Sequence, residues 1–100
     1  MNKTINQTSY KHLHLEEDNV IFLGYKLTLT KTEYSILKVL INSGNSPVSI
    51  NQLCEQTGLN LSKENVAFHV FSINKKAKII SNRVLIKNLA KNGYFLNEEM

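Results

Sequence analysis

One hundred residues, 42% of them hydrophobic, suit one compact domain with a small core and leave no room for a second. A single cysteine, Cys54, excludes an internal disulfide and fits a reducing, cytoplasmic setting, and no apolar run approaches the roughly 20 residues a membrane span needs. Net charge is only +4, but no carboxylate occurs from Asn65 to Asn97, whereas Lys75, Lys76, Lys78, Arg83, Lys87 and Lys91 all fall there. Such a stretch makes a local positive field that attracts a polyanion, of which nucleic acid is the commonest; a solvated face of ordinary lysines is the other reading.

Met1 to Ser9 is polar, carries no hydrophobic segment of a signal peptide and reads as a disordered tail, with the folded domain spanning 10–100. Tyr10 to Leu15 alternates with period two, which predicts a strand. Glu16-Glu17-Asp18-Asn19 reads as a turn and Val20 to Leu23 as a second strand. Gly24-Tyr25 turns again, and Lys26 to Leu29 closes a small antiparallel meander.

The period then changes. Thr30-Lys31-Thr32-Glu33 is a capping box ahead of Leu37, Leu40 and Ile41 at helical spacing, and Asn42-Ser43-Gly44 ends this first helix. Past Pro47, Ser49 with Gln52 makes a second capping pair, opening a short helix whose Ile50, Leu53 and Cys54 share one face; Gly58 stops it. Cys54 beside Leu53 reads as a small buried hydrophobe. Ser62 caps a longer third helix, about 63–78, in which Val66, Val70, Ile73 and Ala77 form a narrow buried stripe. Val84-Leu85-Ile86 is strand-like, Asn92-Gly93 is a strong hairpin signal, and Tyr94-Phe95-Leu96 supplies the returning strand.

On a helical wheel, Glu64, Phe68, Phe71 and Lys75 oppose the buried stripe, with Ser72 and Lys78 at the edges. Two phenylalanines one turn apart on an outward face suggest a contact surface. In a major groove they would meet thymine methyls; elsewhere, another protein or the flanking sheet. A short helix, then a helix with a basic end, then a basic hairpin is the layout of a winged helix-turn-helix, an α+β fold. Here it would comprise an N-terminal antiparallel sheet, a three-helix core and a C-terminal β-hairpin wing. Lys87, Lys91 and Asn92 on that wing, about 84–96, suit phosphate contacts.

The blocks Leu29-Thr30 with Glu33-Tyr34 and Ile36-Leu37, Val48-Ser49 with Leu53, Asn65 to Val70 with Ile73 and Lys76, and Ile86 with Gly93-Tyr94-Phe95-Leu96 carry a further signal. With their spacing, Gly24 through Leu96 resembles the C-terminal DNA-binding domain of OmpR/PhoB-type response regulators. The resemblance implies a recognition helix in the major groove of double-stranded DNA and a wing on the backbone or minor groove. It also implies a homodimer on direct repeats, contact with RNA polymerase through the loop Gly58 to Leu61, and a phosphate contact at His69. The candidate DNA-binding set is therefore Asn65, Phe68, His69, Phe71, Ser72, Lys75 and Lys76 on the helix, with Lys87, Asn88, Lys91, Asn92 and Tyr94 on the wing.

The departures are specific. Phe71, Ser72 and Asn74 stand where such domains carry arginines, and Ala90 stands at a wing position that is often arginine. The resemblance covers no receiver domain, which leaves an excised domain and a stand-alone regulator both open. A protein-interaction or dimerisation module on the same fold, using Phe68 and Phe71, is the competing reading. Binding to RNA or to a membrane lacks both stacking motifs and a basic amphipathic anchor. His12 and His14 have no partners at metal-ligand spacing, and no glycine-rich phosphate loop or nucleophilic triad is discernible, so neither a metal, a cofactor nor an enzyme is expected.

Overall fold

A computed structural model describes residues 9–44, 46–89 and 93–97. The N-terminal sheet runs in chain order: β1 (Ser9–Tyr10), β2 (Leu13–Leu15), β3 (Val20–Phe22) and β4 (Tyr25–Leu27), each antiparallel to the next. Leu13, Val20, Phe22 and Leu27 point to one face and are buried, the alternation a half-covered sheet requires. Two expectations change here. The period-two run Tyr10–Leu15 is not one strand: Lys11 adopts φ 55° and the chain folds back, pairing Tyr10 with Leu13 and Ser9 with His14. Ser9 thereby belongs to the sheet rather than to the tail. The second turn lies at Leu23-Gly24, where both φ values are positive (52° and 83°), so Tyr25 already pairs with Phe22.

Three helices follow: α1 (Lys31–Ser43), α2 (Ile50–Thr57) and α3 (Lys63–Ser81). All three start with reciprocal capping boxes, Thr30 with Glu33, Ser49 with Gln52 and Ser62 with Asn65. The third runs one turn farther than Lys78, ending where Asn82 takes a left-handed conformation. Ile36, Leu37, Leu40 and Ile41 of α1 meet Leu53 of α2 and Val66, Val70, Ile73 and Ala77 of α3 in one core, which the sheet residues Leu13, Phe22 and Leu27 join.

The chain ends in an antiparallel pair, β5 (Ile86–Leu89) and β6 (Gly93–Leu96), with Ile86 opposite Leu96 and Leu89 opposite Gly93. The expected strand over Val84–Ile86 thus begins only at Ile86, because Leu85 and Ile86 are first pinned to α3. Asn74 Oδ1 accepts from both of their backbone amides (3.0 and 2.8 Å), and its Nδ2 donates to the Ile86 carbonyl at 3.0 Å. On the other side, Val48 and Tyr94 exchange both backbone hydrogen bonds, at 2.7 and 2.8 Å. Gly93 makes this approach feasible. Its φ is 111°, and a Cβ there would fall on the Val48 carbonyl oxygen and within 2.8 Å of Ser49 N.

Candidate nucleic-acid interface

α3 divides cleanly around its circumference. Val66, Val70, Ile73 and Ala77 are buried, while Phe68 and Phe71, each 67% exposed, stand on the opposite side with Glu64, Lys75 and Lys78. Ile79, beyond the expected end of the helix and 85% exposed, adds a further outward apolar residue past Lys75, one the shorter predicted helix did not include. His69 is half-buried and meets the Phe68 ring edge-on, with centroids 5.5 Å apart and planes at 71°.

Not every candidate faces outward. Ser72 Oγ donates to Glu33 Oε2 at 2.5 Å, and Lys76 Nζ lies 2.6 Å from Glu33 Oε1. Both are among the expected DNA-contacting residues, and both side chains reach across to Glu33, because a carboxylate only 3% exposed needs donors. Burial pushes the Glu33 carboxyl up. Hydrogen bonds from Lys76, Ser72 and the Thr30 amide, together with the Lys76 charge, outweigh this and hold it below its ordinary value of 4.5. Asn65 is exposed, but its Oδ1 accepts from Ser62 N in the α3 capping box. Tyr94 is 6% exposed and belongs to the core, since β6 lies between Val48 and β5.

On the hairpin, Lys87 and Asn88 are exposed on β5, and Leu89 beside them is half-exposed. Lys91 and Asn92 lie outside the described residues. Exposed lysines are therefore Lys63, Lys75 and Lys78 on α3, of which Lys75 and Lys78 share the side of the two phenylalanines, and Lys87 on β5. Glu64 is the only exposed carboxylate on α3.

Sequence reasoning missed two structural links that position α3 and β5. Glu33 was read as a cap and as part of the response-regulator-like block, although it also anchors α3. Asn74 was read only as a lost arginine, although it is the clamp that fixes the hairpin to α3. Cys54 is half-buried rather than a plain core residue. Its Sγ accepts from Leu61 N (3.4 Å) and donates to Leu61 O (3.3 Å), which pins the short α2–α3 connection. Among the described residues no three His, Cys, Asp or Glu side chains are grouped to hold a metal ion, and no helix is long and apolar enough to cross a membrane.

No protein-family model matches the sequence, and no curated protein does. Solved structures do match. The chain is similar to the DNA-binding domain of the response regulator AdeR, solved in complex with an intercistronic region, at a TM-score of 0.78 and 24% identity, covering 89% of this chain and 97% of that one. It is similar to the DNA-binding domain of CpxR from E. coli at a TM-score of 0.72 and 23% identity, covering 88% and 92%. It is also similar to a streptococcal redox sensor of a family evolved from two-component response regulators, at a TM-score of 0.78 and 18% identity. There the match covers 98% of this chain but only 44% of the sensor, so this chain spans less than half of that protein's length. At such identities the likeness is one of fold, and that fold is the winged helix of response-regulator DNA-binding domains.

Proposed function

We propose that the protein binds double-stranded DNA and regulates transcription, with α3 entering the major groove and the β5–β6 hairpin lying along the backbone or minor groove. The observation that carries this reading is the coincidence of two things on one face. The helix that a winged-helix fold turns outward is also where the acid-free, lysine-bearing part of the chain is exposed. Lys63, Lys75, Lys78 and Lys87 supply phosphate contacts, which set position and orientation at any sequence. By its resemblance to the response-regulator domains, the same reading assigns RNA polymerase to the α2–α3 connection, where Asn60 is exposed, and a second copy of the chain to a neighbouring direct repeat, in the cytoplasm.

The test is a fluorescence-anisotropy titration against mixed-sequence duplex at several salt concentrations. With about four phosphates neutralised, log K against log salt should fall with a slope near −3.6, from roughly −0.9 per contact. Lys87→Ala should reduce that slope by about one unit and weaken binding to all sequences alike. A slope near zero, or no binding at low salt, would overturn the reading. The exposed apolar residues Phe68, Phe71 and Ile79 would then favour a protein-interaction module on the same fold.

A further inference from the structure

A helix that reads bases needs polar groups free to do so, and α3 has used most of its own. Adenine is read by an amide side chain offering an acceptor and a donor together. Asn65 has its Oδ1 engaged with Ser62 N, and Asn74 has both ends engaged with the backbone of Leu85 and Ile86. Guanine is read by arginine or lysine; α3 contains no arginine, and its exposed Lys75 and Lys78 lie in the C-terminal half, whereas the N-terminal residues of a recognition helix meet the base edges. Ser72 and Lys76 are held by Glu33. What remains outward past Glu64 and ahead of Lys75 is Phe68 and Phe71, with the methyl of Ala67 beside them.

The major groove presents one apolar group, the thymine C5-methyl. We propose that Phe68 and Phe71 read thymine methyls, so that specificity rests on apolar contact rather than on hydrogen bonds to base edges. This rests on the duplex-binding reading above. The spacing agrees. Residues at i and i+3 stand about 5–6 Å apart at Cβ, against a rise of about 3.4 Å per base, so the rings span one to two base steps. Lys75 and Lys78 follow the rings toward the C-terminal end of the helix, where they suit phosphate contacts, while Glu64, a turn before Phe68, is the helix's one exposed carboxylate. The His69 ring packs on Phe68 in a T-shaped contact, which leaves the Phe68 side chain 67% exposed to a partner.

The experiment selects binding sites from a randomised duplex pool, then resynthesises the enriched duplex with deoxyuridine for thymidine. That exchange removes only the methyls and preserves every phosphate and Watson–Crick hydrogen bond. The enriched sequence should contain thymines one or two steps apart, and the deoxyuridine duplex should bind about 4-fold more weakly per methyl read. That is the factor given by about 0.8 kcal/mol per buried carbon at about 1.4 kcal/mol per tenfold. A Phe68→Ala, Phe71→Ala double variant should bind both duplexes equally while keeping the salt slope of the parent. Equal binding of the two duplexes by the unaltered protein, with the salt slope intact, would overturn thymine reading and leave duplex binding standing. No binding to either at low salt would overturn both.

Discussion

Replacing Asn74 with alanine should separate the hairpin from the helix it is clamped to. The side chain satisfies three backbone groups of two buried residues: the amides of Leu85 and Ile86 and the carbonyl of Ile86. Each buried group left without a partner costs about 1–3 kcal/mol. Asn74 itself is only half-buried, so water entering the space it vacates should recover part of that. The net loss should fall at about 2–4 kcal/mol, a large share of the roughly 5–15 kcal/mol available to a domain of this size. At about 5 °C per kcal/mol, Tm should drop by about 10–20 °C. Urea unfolding followed by circular dichroism gives the free energy, and hydrogen exchange at Leu85 and Ile86 shows where it acts. If Asn74→Ala changes stability by less than about 0.5 kcal/mol, the range of an ordinary surface substitution, the clamp does not hold the hairpin and the reasoning fails.

Three further outcomes are expected. Because the Glu33 carboxyl is held below 4.5 in the folded state, the unfolded chain takes up the proton more readily. The stability this group contributes is therefore fully present above pH 4.5 and lost as pH falls through the lower folded value; denaturation midpoints measured from pH 6 downward should show an acid limb that Glu33→Gln flattens. Phe68→Ala and Phe71→Ala should leave Tm nearly unchanged, whereas Val70→Ala or Ile73→Ala should cost about 1–4 kcal/mol as core truncations; equal losses in a thermal-melt series would mean that the outward rings are not free. Gly93→Ala should destabilise the fold, since the new Cβ would meet the Val48 carbonyl, and the slow exchange of the Val48 and Tyr94 amides should disappear with it.

What the sequence made legible was local. Two of the three capping boxes could be read because their partners lie three residues apart and belong to the usual Ser/Thr with Glu/Gln pattern. The third, Ser62 with Asn65, departs from that pattern, and only its cap was foreseen. The buried stripe of α3 could be read for the same reason, as period alone defines it. What stayed hidden was partnership at a distance. A helical wheel shows Ser72 and Lys76 beside an outward face, but not that Glu33, 39 and 43 residues earlier, waits across from them. Tyr94 alternates like any strand residue, and nothing local tells that β6 is bounded by Val48 as well as by β5. Tyr10–Leu15 failed differently. A tight hairpin keeps the same alternation as one strand, and the turn is made by a lysine with positive φ rather than by glycine or asparagine.

The double employment of Glu33 has a bearing on how the molecule breathes. The first turn of a helix is ordinarily where fraying begins, since its amides have no intrahelical acceptors. In α1 the oxygen that closes that turn, Glu33 Oε1, is also the one that receives Lys76 of α3, and Oε2 receives Ser72. Opening the turn therefore means freeing the middle of α3 as well, so the two segments should open as one cooperative unit rather than each on its own. A helix tethered at its centre in this way has little latitude to rock or roll on the core. If that face meets a partner, less ordering would have to be supplied on association.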